Sequence, residues 1–112
     1  MKYIIAIIQP HKLREVKKKL HEQEVFSMTI SSTMGCGEQK EYIETYRGIK
    51  RQVDLYKNIK LEIAVNDDFV ERTCQAIIDG AHSGEIGDGK IFILDLPDCI
   101  KIRTQERGGK TL

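Results

Sequence analysis

The chain is poor in cysteine and has no excess of either charge, and both shortages exclude whole classes of protein. Cys36, Cys74 and Cys99 show no C-x-x-C spacing and leave an odd thiol over, which argues against a disulfide framework and against a zinc site. Eighteen Lys and Arg against 17 Asp and Glu leave a net charge of +1, so no broad basic field exists to hold DNA or RNA. Long apolar runs are also missing. The opening stretch, residues 1–9, stops at Pro10, too short for a membrane span and without a secretory cleavage pattern. The expectation is a cytoplasmic protein of one domain over residues 1–112, with a core modest enough that oligomerisation would help it.

What is present divides into two similar halves. Residues 2–9 read as a strand buried on both faces. Leu13, Val16 and Leu20 then fall at helical spacing over residues 11–23, with Lys17, Lys18 and Lys19 as a solvated outer face. Residues 26–34, rich in Thr, Ile and Ser, predict a second strand that ends at Gly35-Cys36-Gly37. Residues 38–57 are charged and show no sustained apolar period, so they read as a long loop. Leu61, Ile63 and Val65 alternate with Lys60, Glu62 and Ala64 in a third strand. Asn66 or Asp67 is placed to cap a second helix, whose stripe is Phe69, Val70, Thr73, Cys74, Ile77, Ile78 and Ala81. Residues 90–96 make a fourth strand. The order predicts an α+β, ferredoxin-like βαβ-βαβ fold with a four-stranded antiparallel sheet and two helices on one face. The apolar residues on both faces of the first strand predict a homo-oligomer that covers the open face.

The candidate site is Gly87-Asp88-Gly89-Lys90, at the threshold of the last strand. Two glycines allow a tight turn with N–H groups close to an anion, and lysine adds a mobile charge, although an ordinary turn before a strand uses the same glycines. A second anion-facing segment is residues 101–110, where Lys101, Arg103 and Arg107 accompany two glycines.

Lys12-Leu13 with Glu15-Val16, Gly35-Cys36-Gly37 with Gln39-Lys40, Tyr46-Arg47-Gly48, residues 60–63, residues 83–92, and Ile102-Arg103-Thr104 with residues 106–108 occur in an order and spacing that resemble the PII signal-transduction proteins. The resemblance covers almost the whole chain. It implies a homotrimer with ATP or ADP in the clefts between subunits. From one subunit Gly87, Asp88, Gly89 and Lys90, in a B-loop of residues 82–90, would wrap the phosphates. From the neighbour Lys101 and Arg103, in a C-terminal loop of residues 98–112, would reach them, and Thr29 would bond the adenine edge. Ile7, Ala64 and the backbone of Gly35, Cys36 and Gly37 would line the base and sugar. Glu38 and Gln39 would adjoin the phosphates, Gln39 holding a Mg2+ ion together with ATP.

Residues 37–55 match the T-loop, the arm that docks onto partners, and Tyr42, Tyr46, Arg47, Lys50 and Arg51 are its candidate contacts. A membrane transporter, which would recruit the protein to the membrane, or a cytoplasmic enzyme or regulator is the expected partner. Several positions depart from the family. Arg51 stands where many relatives carry a tyrosine that is uridylylated, and Ile49 where some carry a phosphorylated serine. Asn58 replaces a lysine that pairs with 2-oxoglutarate, and loss of a charged bond worth about 1.5–3 kcal/mol weakens that ligand by one to two orders of magnitude. Glu38 and Lys101 replace arginines, which favours ADP over ATP. Gln105 replaces a glycine of the C-terminal loop. The expectation is a non-enzymatic adenylate sensor with a weak or lost 2-oxoglutarate response. Its alternatives are an ordinary nitrogen-regulatory PII protein acting on an ammonium channel, a phosphoryl-transfer enzyme using His82, and a structural trimer without nucleotide.

Overall fold

The computed structural model describes residues 1–36, 42–46, 49–53 and 55–112, the two middle segments by their backbone alone. Strands β1 (Lys2–Ile8), β2 (Thr29–Gly35), β5 (Tyr56–Val65) and β6 (Lys90–Asp95) form one sheet in the order β2-β5-β1-β6, with every pairing antiparallel. Helices α1 (Leu13–Glu22) and α2 (Val70–Ala81) each follow a single 3-10 turn. This is the ferredoxin-like arrangement the periodicities predict.

The core lies between the sheet and the two helices. Ile4, Ala6 and Ile8 of β1 and Leu61, Ile63 and Val65 of β5 point inward by strict alternation, meeting Val16 and Leu20 of α1 and Ala76, Ile77 and Ala81 of α2. The buried stripe of α2 is set slightly differently from the predicted one. Ala76 and Gly80 belong to it, whereas Ile78 is 45% exposed and Cys74 is half-buried. At Gly80 the helices come so close that an added Cβ would lie 2.6 Å from Cα of Val16. Buried Thr73 is satisfied within its own helix, its Oγ1 donating to the Phe69 carbonyl at 2.6 Å.

Three expectations are corrected. The segment read as a long loop contains two paired strands, β3 (Tyr42–Tyr46) and β4 (Ile49–Val53), in register from Tyr42 opposite Val53 to Tyr46 opposite Ile49. Strand β5 begins at Tyr56, inside the segment read as a loop, because Tyr56, Lys57 and Asn58 pair with Gly35, Met34 and Thr33 of β2. Asn66 precedes the second helical segment but does not cap it; its Nδ2 donates instead to the Gly109 carbonyl at 2.9 Å, tying the C-terminal segment to the end of β5.

Helix α1 ends in a Schellman motif. The N–H of Val25 donates to the Leu20 carbonyl and that of Glu24 to the His21 carbonyl, with Val25 and Leu20 both buried. Glu24 takes the left-handed position at φ 61°, where glycine is the usual occupant. Two substitutions follow from these contacts. Gly80→Ala forces the helices apart and lowers unfolding free energy by about 1–3 kcal/mol. Glu24→Gly relieves backbone strain and raises it by up to about 1 kcal/mol. Urea titration of both variants checks the two signs.

Candidate functional site

The sheet carries helices on one face only. Its other face presents Tyr3, Ile5 and Ile7 of β1, Phe92 and Leu94 of β6, and, towards the β2 edge, Asn58, Lys60, Glu62 and Ala64 of β5 beside Thr29, Ser31 and Thr33. Glu62 is held here from two sides. Tyr3 Oη donates to its Oε2, and Lys60 Nζ lies 3.3 Å from its Oε1. The phenol, with help from Lys60, keeps the Glu62 carboxyl below the usual carboxylate range. Glu62 therefore stands between a phenol donor and a lysine on the open face of the sheet.

At one end of this face, residues 82–90 fold into a loop stiffened by Asp88. Its Oδ2 accepts from the N–H groups of Ser83 at 2.8 Å and Gly84 at 3.0 Å, and its Oδ1 accepts from the Ser83 hydroxyl at 2.5 Å. The Ser83 bonds above all, then the Gly84 N–H and nearby His82, pull the Asp88 carboxyl from its ordinary 3.8 down to about 2. The carboxylate is thus spent inside the loop. Gly87 and Gly89 adopt φ of 104° and 105°. At Gly89 an added Cβ would sit 1.8 Å from the Ile7 carbonyl oxygen, so only glycine lets the loop lie against β1. Gln9, just past β1, donates from Nε2 to the Gly87 carbonyl at 3.0 Å and pins the other side of the turn. Among the described residues none accepts from the backbone N–H groups of Gly87, Asp88 or Gly89.

The loop borders a groove of about 440 Å³ lined by Ile7, Cys36, Asn58, Ile86, Phe92 and the residues 85–90. Seven residues singled out in the sequence, Ile7, Cys36, Asn58, Gly87, Asp88, Gly89 and Lys90, come together here, and Gly35 adjoins it, its Cβ position 2.9 Å from Asn58 Nδ2. Free N–H groups and an exposed lysine beside an apolar wall suit a ligand with an anionic end and a flat or apolar body. Ile86 and Phe92, 69% and 48% exposed, were not singled out by sequence reading. Their signal was available: apolar side chains in or next to a glycine-rich loop that point away from the core. Lys57 is exposed and, by alternation, turns to the opposite face from Asn58.

The other predicted residues lie elsewhere. Thr29 pairs with Glu62, and Ala64 pairs with Tyr3, four residues along the strand from Ile7 and so about 13 Å away. Lys101 and Arg103 come after β6, which runs about 17 Å from Lys90 to the opposite end of the sheet. Both are exposed, with no carboxylate in ion-pair range among the described residues. Their loop is closed by the Ile100–Arg107 bridge, by Lys101 N–H to the Glu106 carbonyl at 2.9 Å, and by Arg107 on Asp98 at 2.8 Å. Gln105 adopts φ 63°, in the left-handed region that glycine usually occupies. Gly37, Glu38, Gln39 and Arg47, and the side chains of Tyr42, Tyr46, Lys50 and Arg51, lie outside the described residues.

A family model described as nitrogen regulatory protein P-II matches residues 1–106. The chain is similar to nitrogen regulatory protein GlnK1 of Methanosarcina mazei, at 47% identity over 114 residues, covering 100% of this chain and 97% of that one. It is 45% identical over 112 residues to nitrogen regulatory protein P-II of Azospirillum brasilense, with 100% of both covered, and 46% identical over 112 residues to the protein of that name in Rhodospirillum rubrum.

Asp88 supplies a pH test. Its carboxyl is held below the ordinary value, so the bracing it provides is complete above about pH 4 and is lost as pH falls through about 2. Amide exchange at residues 83–89 should accelerate across that window while the core strands stay protected, and Asp88→Asn should show the fast exchange already at neutral pH.

Proposed function

The chain belongs to the nitrogen regulatory protein P-II family, and from that premise we propose that it is an adenine-nucleotide sensor that regulates a partner through residues 37–55. The observation that carries this reading is the loop of residues 82–90: unpartnered N–H groups at Gly87, Asp88 and Gly89, with Lys90, at the mouth of an apolar groove. Phosphates would sit on the loop and the adenosine would lie along Ile7, Ile86 and Phe92.

The site would be completed by a second copy. Lys101 and Arg103 follow the far end of β6 with no carboxylate in ion-pair range among the described residues, and Thr29 and Ala64 lie toward the same end of the sheet. Strand β6 is an edge strand whose Phe92, Ile93 and Leu94 are 48%, 51% and 45% exposed although they point to alternate faces, which favours burial against neighbours in a homotrimer. Such a trimer would put the far end of one copy over the loop of the next.

ADP is the favoured ligand, since Glu38 and Lys101 stand where arginines would meet an additional phosphate. Asn58 lines the groove at the foot of the docking arm and offers an amide where a dicarboxylate needs a cation, so 2-oxoglutarate would bind weakly. Loss of nucleotide charge on going from ATP to ADP would shift the population of arm conformations that a transporter, enzyme or regulator reads. The protein would act without catalysis: no carboxylate hydrogen-bonds the His82 imidazole among the described residues, and the nearest, Asp88, is committed to Ser83 and Gly84.

Calorimetry should detect ADP at micromolar concentration, and Lys90→Ala should weaken it by about 10- to 100-fold. Asn58→Lys should strengthen 2-oxoglutarate binding in the presence of ATP by a similar factor. Cys36 is exposed and lines the groove, so ADP should slow its alkylation while leaving half-buried Cys74 and Cys99 unchanged in peptide mass spectra. Absence of ADP binding would favour a purely structural oligomer.

A further inference from the structure

Strand β1 delivers the chain to the end of the sheet that carries the glycine loop, and α1 starts there, after Gln9 has bonded Gly87. On α1, Arg14, Lys17, Lys18 and His21 fall within an arc of about 100° and span about 10 Å of helix. All four are exposed, on the side away from Val16 and Leu20. The two carboxylates of the helix lie off this arc: Glu22 is 3.9 Å from Lys19, and Glu15 is on that same flank. No carboxylate is in ion-pair range of Arg14, Lys17 or Lys18 among the described residues. Just ahead, Pro10 and Leu13 floor a shallow cleft of about 350 Å³, rimmed by His11, Arg14 and Lys17. Strands β3 and β4 leave the sheet from the same end, where Gly35 pairs with Tyr56.

We propose that this face of α1 is a docking surface for an anionic phospholipid bilayer, with Arg14, Lys17 and Lys18 on the headgroup phosphates and Pro10 and Leu13 as a shallow apolar footing. Charge complementarity selects the bilayer. Over residues 12–22 the chain carries five Lys and Arg against two Glu, whereas the whole chain is only +1, so the remainder is net negative. A strand of nucleic acid laid across the molecule would meet that negative remainder; a flat charged surface touched by one helix face does not. Each Lys or Arg near an anionic leaflet strengthens partitioning roughly fivefold, and salt weakens it. The contact is independent of nucleotide binding, and it lies on the end from which the docking arm departs.

The test is flotation of the full chain with vesicles of phosphatidylcholine containing 30% phosphatidylglycerol, against vesicles of phosphatidylcholine alone, at low and high salt. Binding to the anionic vesicles only, abolished by salt, is expected. Arg14→Glu with Lys17→Glu and Lys18→Glu should lower partitioning at least about 100-fold, with ADP affinity, melting temperature and oligomeric state unchanged, while Lys110→Gln at the far end should change partitioning less than about fivefold. Equal binding to neutral vesicles, retention by the triple variant, or equally tight binding to a DNA duplex at the same salt would overturn the proposal. If the triple variant unfolds, Arg14→Gln alone, expected to cost roughly fivefold, decides it.

Discussion

The contact between Gly89 and the carbonyl of Ile7 sets the geometry of everything at the functional end of the molecule. A side chain at position 89 would collide with that oxygen at 1.8 Å, and the φ of 105° is closed to other residues in any case. Because β1 is a central strand, paired to β5 from Lys2 to Ile8 and to β6 from Lys2 to Ile7, its end is fixed by the core. The loop inherits that rigidity. Gln9 on Gly87 and Asp88 on Ser83 and Gly84 then define the turn, leaving the N–H groups of Gly87, Asp88 and Gly89 without an acceptor among the described residues and Lys90 at the first position of β6. The preorganisation needed to hold an anion thus derives from core packing, transmitted through one strand end.

The same antiparallel register keeps the two groups of predicted ligands apart. Ile7 lies opposite Lys60 and Lys90, whereas Tyr3 lies opposite Ala64 and Leu94. In this structure Lys101 and Arg103 follow the far end of β6, whose first residue is Lys90. Oligomerisation is therefore part of the proposed chemistry and not only a means of covering apolar surface. Asn66 on Gly109 and Arg107 on Asp98 tie down the C-terminal segment that would form the second half of the site.

Much of this was legible in the residues. The alternation of Leu61, Ile63 and Val65, the 3.6-residue spacing of Val16 and Leu20, and the glycine-aspartate-glycine-lysine run led to the correct layers and to the loop. What escaped depends on contacts between residues distant in sequence. Pairing with β2 extends β5 back to Tyr56 across residues whose own pattern is polar. The ladder between β3 and β4 has no apolar period to announce it, because cross-strand backbone bonds do not depend on side-chain type. Asn66 has the residue type of a helix cap but finds a partner 43 positions away. Asp88 in a presumed anion loop looked like a ligand; its partners, Ser83 and Gly84, are local, and only the fold of the turn shows that its carboxylate oxygens are already hydrogen-bonded by them.

A complementation experiment addresses the central claim, that the nucleotide site is assembled from the loop of one copy and the C-terminal segment of another. Lys90→Glu and Arg103→Glu would each abolish ADP binding in the pure protein. Unfolded together in equal amounts and refolded, the mixture should regain ADP binding at about a quarter of the wild-type number of sites, because only seams that join an intact loop to an intact C-terminal segment bind. No recovery from a mixture shown to contain mixed oligomers, or ADP binding by a monomeric form of the chain, would contradict the account.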